Sequence, residues 1–174
     1  NELTSLRPSG IFLRSEAIQA GATDRQLRAA VRDGVLHRVR HGAYLPKETW
    51  QSANATQRHL LLTRSVLPSM KERRFGRIIN IGSEVFRRGV PNFAPYVAAK
   101  GAQAGWTRSM ASELAPWQIT VNIVSPGWIP VERHQNDPKA QKDAYKALIP
   151  LQRWGLPHDV GGIVSFLCSD AAAF

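Results

Sequence analysis

The chain contains very little cysteine and no long apolar run. Among its 174 residues Cys168 is the single cysteine, which excludes an intrachain disulfide and suits a reducing compartment. No stretch approaches the ~20 apolar residues that a membrane helix needs, and no signal-peptide pattern follows Asn1. Hydrophobic residues make up 43% of the chain, which is enough for a buried core. We therefore expect a cytoplasmic protein with no membrane segment.

Acidic residues are also scarce, since 13 Asp and Glu stand against 23 Lys and Arg, for a net charge of +10. The excess is shared equally between residues 1–67 and 68–174, so it is denser in the shorter front part. Such a balance raises the odds of a polyanionic partner, although by itself it concerns only non-specific attraction. His37 and His41 have no Cys or carboxylate at ligand spacing, and we predict no metal site.

Residues 1–67 show the pattern of two short helices followed by a ribbon of strands. The first helix is expected over 15–20 with Ser15 as its N-cap, and the second over 24–33 with Thr23 as its N-cap. Residues 35–45 alternate with a period of two, which is typical of strands. Glycines stand where the helices and the ribbon turn: Gly21, Gly34 and Gly42.

Five arginines in this part are candidate DNA contacts. Three of them share one face of the second helix at i, i+3 and i+7, and two share one face of the first strand: Arg25, Arg28, Arg32, Arg38 and Arg40. Helix, turn, helix and basic ribbon is the order of a winged helix-turn-helix, whose second helix enters the major groove while the ribbon touches phosphates. The alternative is a solvated face on a small structural domain.

A family resemblance supports DNA binding by the front part. Residues 8–67 resemble the N-terminal winged-helix domain of AbiEi-type antitoxins and related bacterial regulators. The resemblance is carried by Gly10-Ile11-Phe12, Ala20-Gly21-Ala22-Thr23, Arg25-Gln26-Leu27 and the run from Gly34 to Tyr44. It implies DNA binding through residues 15–45, as in the autoregulation of an operon.

Strands and helices alternate in the back part, residues 68–174. Strands are predicted over 77–83 and 119–124, and helices over 96–114, 137–148 and 158–167. This order favours a parallel α/β layer. Pro68 is expected to end a helix over 57–67, and the domain boundary is placed between residues 67 and 68, where no flexible linker occurs.

Three residues of the back part have the spacing of a proton-transfer site. Tyr96 and Lys100, at i and i+4, project from one face of a helix. A nearby ammonium favours the phenolate, so Tyr96 is the candidate general acid or base for a carbonyl or an alcohol. Ser83, at the carboxyl end of its strand, is placed to hydrogen-bond the same substrate oxygen. The alternative is that all three are inherited scaffold without turnover.

Residues 70–174 resemble the C-terminal half of a short-chain dehydrogenase/reductase. Four runs carry the resemblance: Gly76 to Ser83, Tyr96-Val97-Ala98-Ala99-Lys100, Thr120 to Ile129, and Pro150 to Val160 with Phe166-Leu167. The resemblance implies an NAD(P) cofactor, a carbonyl or secondary alcohol substrate, and a homo-oligomer built on the helix that starts at Tyr96. It also implies nicotinamide contacts by Tyr96, Lys100, Pro126, Gly127 and Ile129.

The chain departs from that family in its front half. Neither the Thr-Gly-x-x-x-Gly-x-Gly turn that holds the pyrophosphate nor the Asn-Asn-Ala-Gly segment occurs. The predicted fold is therefore a partial Rossmann-like parallel sheet with helices, preceded by a small winged helix-turn-helix domain. Three interpretations stay open: an oxidoreductase lacking its nucleotide-binding half, whose turnover is in question, a DNA-binding regulator, and a chimera of unrelated sequences with no joint function.

Overall fold

The computed structural model describes residues 10–174, with the exception of the side chains of Ala55 and Arg133. The chain divides into two compact units between Arg73 and Arg74. Within residues 10–174, no helix combines the length and the apolar character that crossing a membrane requires.

Over residues 10–73, the first unit combines four helices with a three-stranded antiparallel sheet in the order β1-β3-β2. Its elements are β1 (Phe12–Leu13), α1 (Arg14–Gln19), α2 (Asp24–Arg32), β2 (Leu36–Arg40), β3 (Ala43–Pro46), α3 (Lys47–Ser52) and α4 (Ala55–Arg73). Its core joins apolar residues of both helices α1 and α2 to the sheet: Phe12, Ala17, Leu27, Ala30, Leu36 and Tyr44. The helix pair followed by two strands agrees with the predicted element order, while the winged-helix assignment stays a prediction.

The two N-terminal helices begin in different ways. Thr23 caps α2 as predicted, because its Oγ1 accepts from the Gln26 N–H at 3.3 Å while its own N–H donates to Gln26 Oε1 at 2.8 Å. The prediction that Ser15 caps α1 is wrong. The N-cap is Leu13, whose N–H donates to a Glu16 carboxylate oxygen at 2.6 Å. The acceptor thus comes from inside the helix, and Ser15 lies in the first turn.

Helix α4 continues to Arg73, so the prediction that Pro68 ends it is wrong. A proline inside a helix removes one N–H donor and crowds the preceding turn, which leaves carbonyls there in need of partners. The Ser65 carbonyl, three residues before Pro68, accepts from Arg40 Nε at 3.0 Å. The Arg40 guanidinium thus contacts the turn before Pro68, at the carbonyl next to that of Arg64, which the missing Pro68 N–H would have reached. The predicted boundary at residues 67–68 falls inside this helix.

The second unit is a two-stranded parallel sheet with helices, which confirms the predicted α/β class for this part. Its elements are β4 (Gly76–Ile81), α5 (Val85–Arg88), α6 (Ala94–Leu114), β5 (Ile119–Val124), α7 (Lys139–Ala147) and α8 (Pro157–Cys168), with short 3₁₀ turns at Ala115–Trp117, Glu132–His134 and Asp170–Ala172. The strands pair in register from Gly76 opposite Ile119 to Ile81 opposite Val124. A parallel pair needs a long crossover, and α6 provides it.

Helix α6 packs on β5 and fixes the direction of the site residues at its N-terminal end. Leu114, Ile119 and Val121 are buried at this contact. A buried hydrogen bond from Asn80 Nδ2 to Thr107 Oγ1, 2.8 Å long, ties β4 to the same helix. Because these contacts hold α6 at its middle and end, its first turns lie beside the carboxyl ends of the strands. The homo-oligomer predicted on the helix that starts at Tyr96 stays a prediction.

Candidate active site

The carboxyl end of β4 carries Ser83 to the edge of the sheet. The Gly82 N–H donates to the Val124 carbonyl at 2.7 Å, so the two strand ends stay together beyond the ladder. A side chain at Gly82 would place its Cβ 2.7 Å from Ser125 Oγ, which shows why glycine occupies this position. Ser83 itself is buried, and its Oγ accepts from the Val85 N–H at 3.4 Å.

Tyr96 and Lys100 lie on the first turns of α6. Lys100 Nζ donates to the Ile81 carbonyl at 2.8 Å and to Gln103 Oε1 at 3.3 Å. The same ammonium nitrogen lies 5.7 Å from the centroid of the Tyr96 ring. Phe93 meets that ring edge-on at 6.3 Å. Tyr96 is nevertheless 45% exposed, so a ligand from solvent has access to it.

A cavity of about 870 Å³ opens at this edge of the sheet. Its lining includes every residue that the sequence named for catalysis or cofactor binding: Ser83, Tyr96, Lys100, Pro126, Gly127 and Ile129. The residues come from three segments, namely the end of β4, the start of α6 and the loop after β5. The structure therefore brings all six residues to one cavity. Their chemical roles stay predictions.

Sequence reasoning missed a second group of residues at the same cavity. The Tyr145 hydroxyl accepts from the Trp128 N–H at 2.8 Å and donates to Glu84 Oε1 at 2.9 Å. Arg88 Nη1 lies 2.8 Å from the same carboxylate oxygen. Burial first, and then the Glu84 carboxylate, raises the pKa of Tyr145, which favours the protonated hydroxyl that donates to Glu84. No spacing in the sequence joins Tyr145 to Glu84, which lies 61 residues earlier.

The five candidate DNA contacts lie in the first unit and differ in their surroundings. Arg25, Arg28 and Arg32 are exposed on α2, opposite the buried Leu27 and Ala30.

Arg32 pairs with Asp33 at 3.0 Å. Arg38 is exposed on β2, whereas Arg40 is half-buried against α4. The register of β2 shifts between these two residues, so the prediction that they share one face does not hold.

Comparison with known families identifies the family to which the second unit belongs. A model of the family described as enoyl-(acyl carrier protein) reductase, of the short-chain type, matches residues 34–174. The chain belongs to the short-chain dehydrogenase/reductase family. A model described as transcriptional regulator, AbiEi antitoxin, matches residues 2–47. The two matches share residues 34–47, which contain β2 and β3 of the first unit.

Curated short-chain relatives match mainly the second unit. The chain is 42% identical over 113 residues to a 3-oxoacyl-[acyl-carrier-protein] reductase of Pseudomonas aeruginosa, covering 65% of this chain and 46% of the relative. It is 40% identical over 116 residues to a protein of the same name from Rickettsia felis, covering 67% and 48%. It is 34% identical over 146 residues to nodulation protein G of Azospirillum brasilense, covering 83% and 59%. The chain thus spans about half the length of the curated relatives it matches.

The short-chain family implies a nicotinamide dinucleotide, and the cavity suits one end of it. The Lys100 ammonium, the Ser83 hydroxyl and the loop after β5 offer polar groups at the carboxyl edge of the sheet, where such ligands bind. The printed sequence contains no glycine-rich turn for the diphosphate. A Cβ at Gly127 would lie 2.6 Å from the Tyr145 hydroxyl, so the absence of a side chain there accommodates Tyr145. The groups that line this cavity fit the nicotinamide end of such a cofactor.

Proposed function

We propose that residues 74–174 carry the proton-transfer half of a short-chain oxidoreductase that acts on a carbonyl or secondary alcohol. The observation that carries this proposal is the shared cavity of Ser83, Tyr96 and Lys100, in a chain of the short-chain family. The names of the relatives favour a 3-oxoacyl thioester as the carbonyl compound. A bound nicotinamide would supply or accept the hydride.

Each of the three residues has a separate part in this proposal. Tyr96 donates its phenolic proton to the oxygen of a carbonyl that is being reduced, or takes a proton from an alcohol in the reverse direction. Ser83 hydrogen-bonds the same oxygen and orients it. Lys100, 5.7 Å from the Tyr96 ring, provides the positive charge that stabilises the phenolate left behind. Its second contact, to the Ile81 carbonyl, holds the ammonium at the end of β4.

A comparison of two nicotinamide ligands tests the proposed proton-transfer half directly. We expect reduced nicotinamide mononucleotide and NADPH to bind with dissociation constants within roughly threefold of each other, because the groups that line the cavity fit the nicotinamide end. Quenching of tryptophan fluorescence measures both, since Trp128 lines the cavity. Failure of both ligands to bind would refute the proposed function. Binding of NADPH alone would show that the adenosine end also has a site.

A second candidate function, DNA binding, is favoured by the first unit. The exposed face of α2 presents Arg25, Arg28 and Arg32, and the antitoxin model matches residues 2–47. An exposed basic helix that follows another helix across a tight turn is suited to the major groove, with the exposed Arg38 near the phosphates. We propose this activity for residues 15–45. Arg40 is excluded from the proposed DNA contacts, because its guanidinium donates to the Ser65 carbonyl.

Replacing Arg38 by Ala is expected to weaken binding to a short DNA duplex of mixed sequence and to lower the slope of log K against log salt by about 1, as the loss of one phosphate contact does. Fluorescence anisotropy at several salt concentrations measures both quantities. Arg108→Ala is the matched control, because it removes the same charge from an exposed position of α6. Equal losses of DNA affinity in the two variants would show that the effect comes from net charge alone. That result would contradict a defined DNA-binding face.

A further inference from the structure

Tyr145 stands at the junction of three segments that line the cavity. It belongs to α7, its hydroxyl accepts from the Trp128 N–H of the loop after β5, and it donates to Glu84, which directly follows Ser83. The ring is also held on its faces. Trp154 stacks on it at 5.7 Å with an interplanar angle of 3°, and the Arg88 guanidinium lies 5.4 Å from its centroid. These contacts fix the hydroxyl in both position and direction.

A second link joins the same two segments without Tyr145. The Glu84 N–H donates to the Pro126 carbonyl at 3.1 Å, one residue after Ser83 and one residue before Gly127. Gly127 in turn leaves no room for a side chain, because its Cβ would lie 2.6 Å from the Tyr145 hydroxyl. Two links thus set the spacing between the Ser83 segment and the loop that carries Gly127 and Ile129: the Glu84–Pro126 backbone bond and the Tyr145 hydroxyl.

We infer that Tyr145 is a positioning residue, whose hydroxyl holds the loop Pro126–Ile129 against the Ser83–Glu84 segment and so sets the width of the cavity between them. Its consequence for catalysis rests on the proposed function. The contact itself is independent of the proposed function, because every group in it belongs to this chain. Tyr145 touches no reacting atom in this scheme, and it acts through the backbone of Trp128 and the carboxylate of Glu84.

Amide hydrogen exchange measures this contact without any cofactor. In Tyr145→Phe the ring and its stacking remain, but the Trp128 N–H loses its acceptor, and we expect its exchange to accelerate roughly 3- to 10-fold. The Glu84 N–H should accelerate as well, because the loop that carries its acceptor is released. The Gly82 N–H, which bonds to Val124 in the same region, is the internal control and should not change. Unchanged exchange at Trp128, or equal acceleration at all three amides, would overturn the inference.

A double substitution tests the steric part of the same contact. Gly127→Ala should lower the melting temperature of the wild-type chain, and this shift should be at least halved in the Tyr145→Phe background, where the opposing oxygen is gone. Gly105→Ala provides the matched control, since a Cβ at Gly105 meets nothing within 4 Å. It should give the same shift in both backgrounds. Equal Gly127→Ala shifts in the two backgrounds would show that the hydroxyl does not set this spacing.

Ligand binding separates a failure of this inference from a failure of the proposed function. We expect Tyr145→Phe to weaken binding of reduced nicotinamide mononucleotide at least threefold, because the loop that lines its site moves away from Ser83. If the wild-type chain does not bind the mononucleotide, the proposed function fails while amide exchange still decides the role of Tyr145. If exchange accelerates and affinity is unchanged, the hydroxyl stabilises the loop but does not position the site.

Discussion

Replacing Tyr96 by Phe is expected to lower the rate at which the protein reduces a 3-oxoacyl thioester with a reduced nicotinamide by ~10²- to 10⁴-fold, the usual contribution of a general acid. The variant keeps the ring beside Lys100 and removes only the proton that the carbonyl oxygen would receive. Tyr96 is 45% exposed, so the loss of its hydroxyl should have little effect on the folding of the protein. The decrease should therefore appear in kcat, measured from nicotinamide absorbance at saturating substrate, with the same melting temperature as the wild type.

Tyr44→Phe is the matched control for this substitution. Tyr44 is buried in the first unit, where its ring packs on Phe12 with the centroids 6.0 Å apart. The loss of its hydroxyl should leave the reduction rate unchanged. A Tyr96→Phe variant that retains more than about a tenth of the wild-type rate would exclude Tyr96 as the general acid.

Leu114→Ala is expected to lower the free energy of unfolding of the second unit by about 2–5 kcal/mol, the cost of removing a fully buried leucine and leaving a cavity. Leu114 has no exposed surface at the end of α6, where this helix meets β5. The same helix carries Tyr96 and Lys100 at its other end. Urea denaturation followed by the fluorescence of the second unit's tryptophans gives the difference: Trp106, Trp117, Trp128 and Trp154.

Leu151→Ala makes the same chemical change at a site that is 73% exposed. Its effect should stay within about 0.5 kcal/mol, as is usual for surface positions. If the two variants were equally stable, the packing of α6 on β5 would not be what holds the second unit together.

Much of the local structure could be predicted because its causes are local. The strand over 119–124 and the start of α2 after Thr23 follow from alternation of apolar residues and from a side chain that reaches only three residues ahead. One of the wrong predictions concerns a turn that a residue distant in the chain contacts. Helix α4 passes Pro68, and the Arg40 guanidinium, 25 residues from Ser65, donates to the preceding turn.

The residues of the candidate site could also be predicted where local geometry decides their positions. Tyr96 and Lys100 are four residues apart on one helix, and their common face follows from helical geometry. Ser83 follows a strand whose parallel partner also ends at the cavity. The roles proposed for these residues and the DNA contacts of α2 stay predictions that the experiments above decide.

The sequence by itself determined that Tyr96 and Lys100 share a helix face and that residues 119–124 form a strand, because a spacing of four in a helix or two in a strand sets which side chains lie together. Only the tertiary structure decided that Tyr145 joins the Ser83 segment to the loop after β5, and that Arg40 donates to the Ser65 carbonyl of α4. Those contacts span 61 and 25 residues. They depend on how whole elements pack, and packing leaves no periodic trace in the chain.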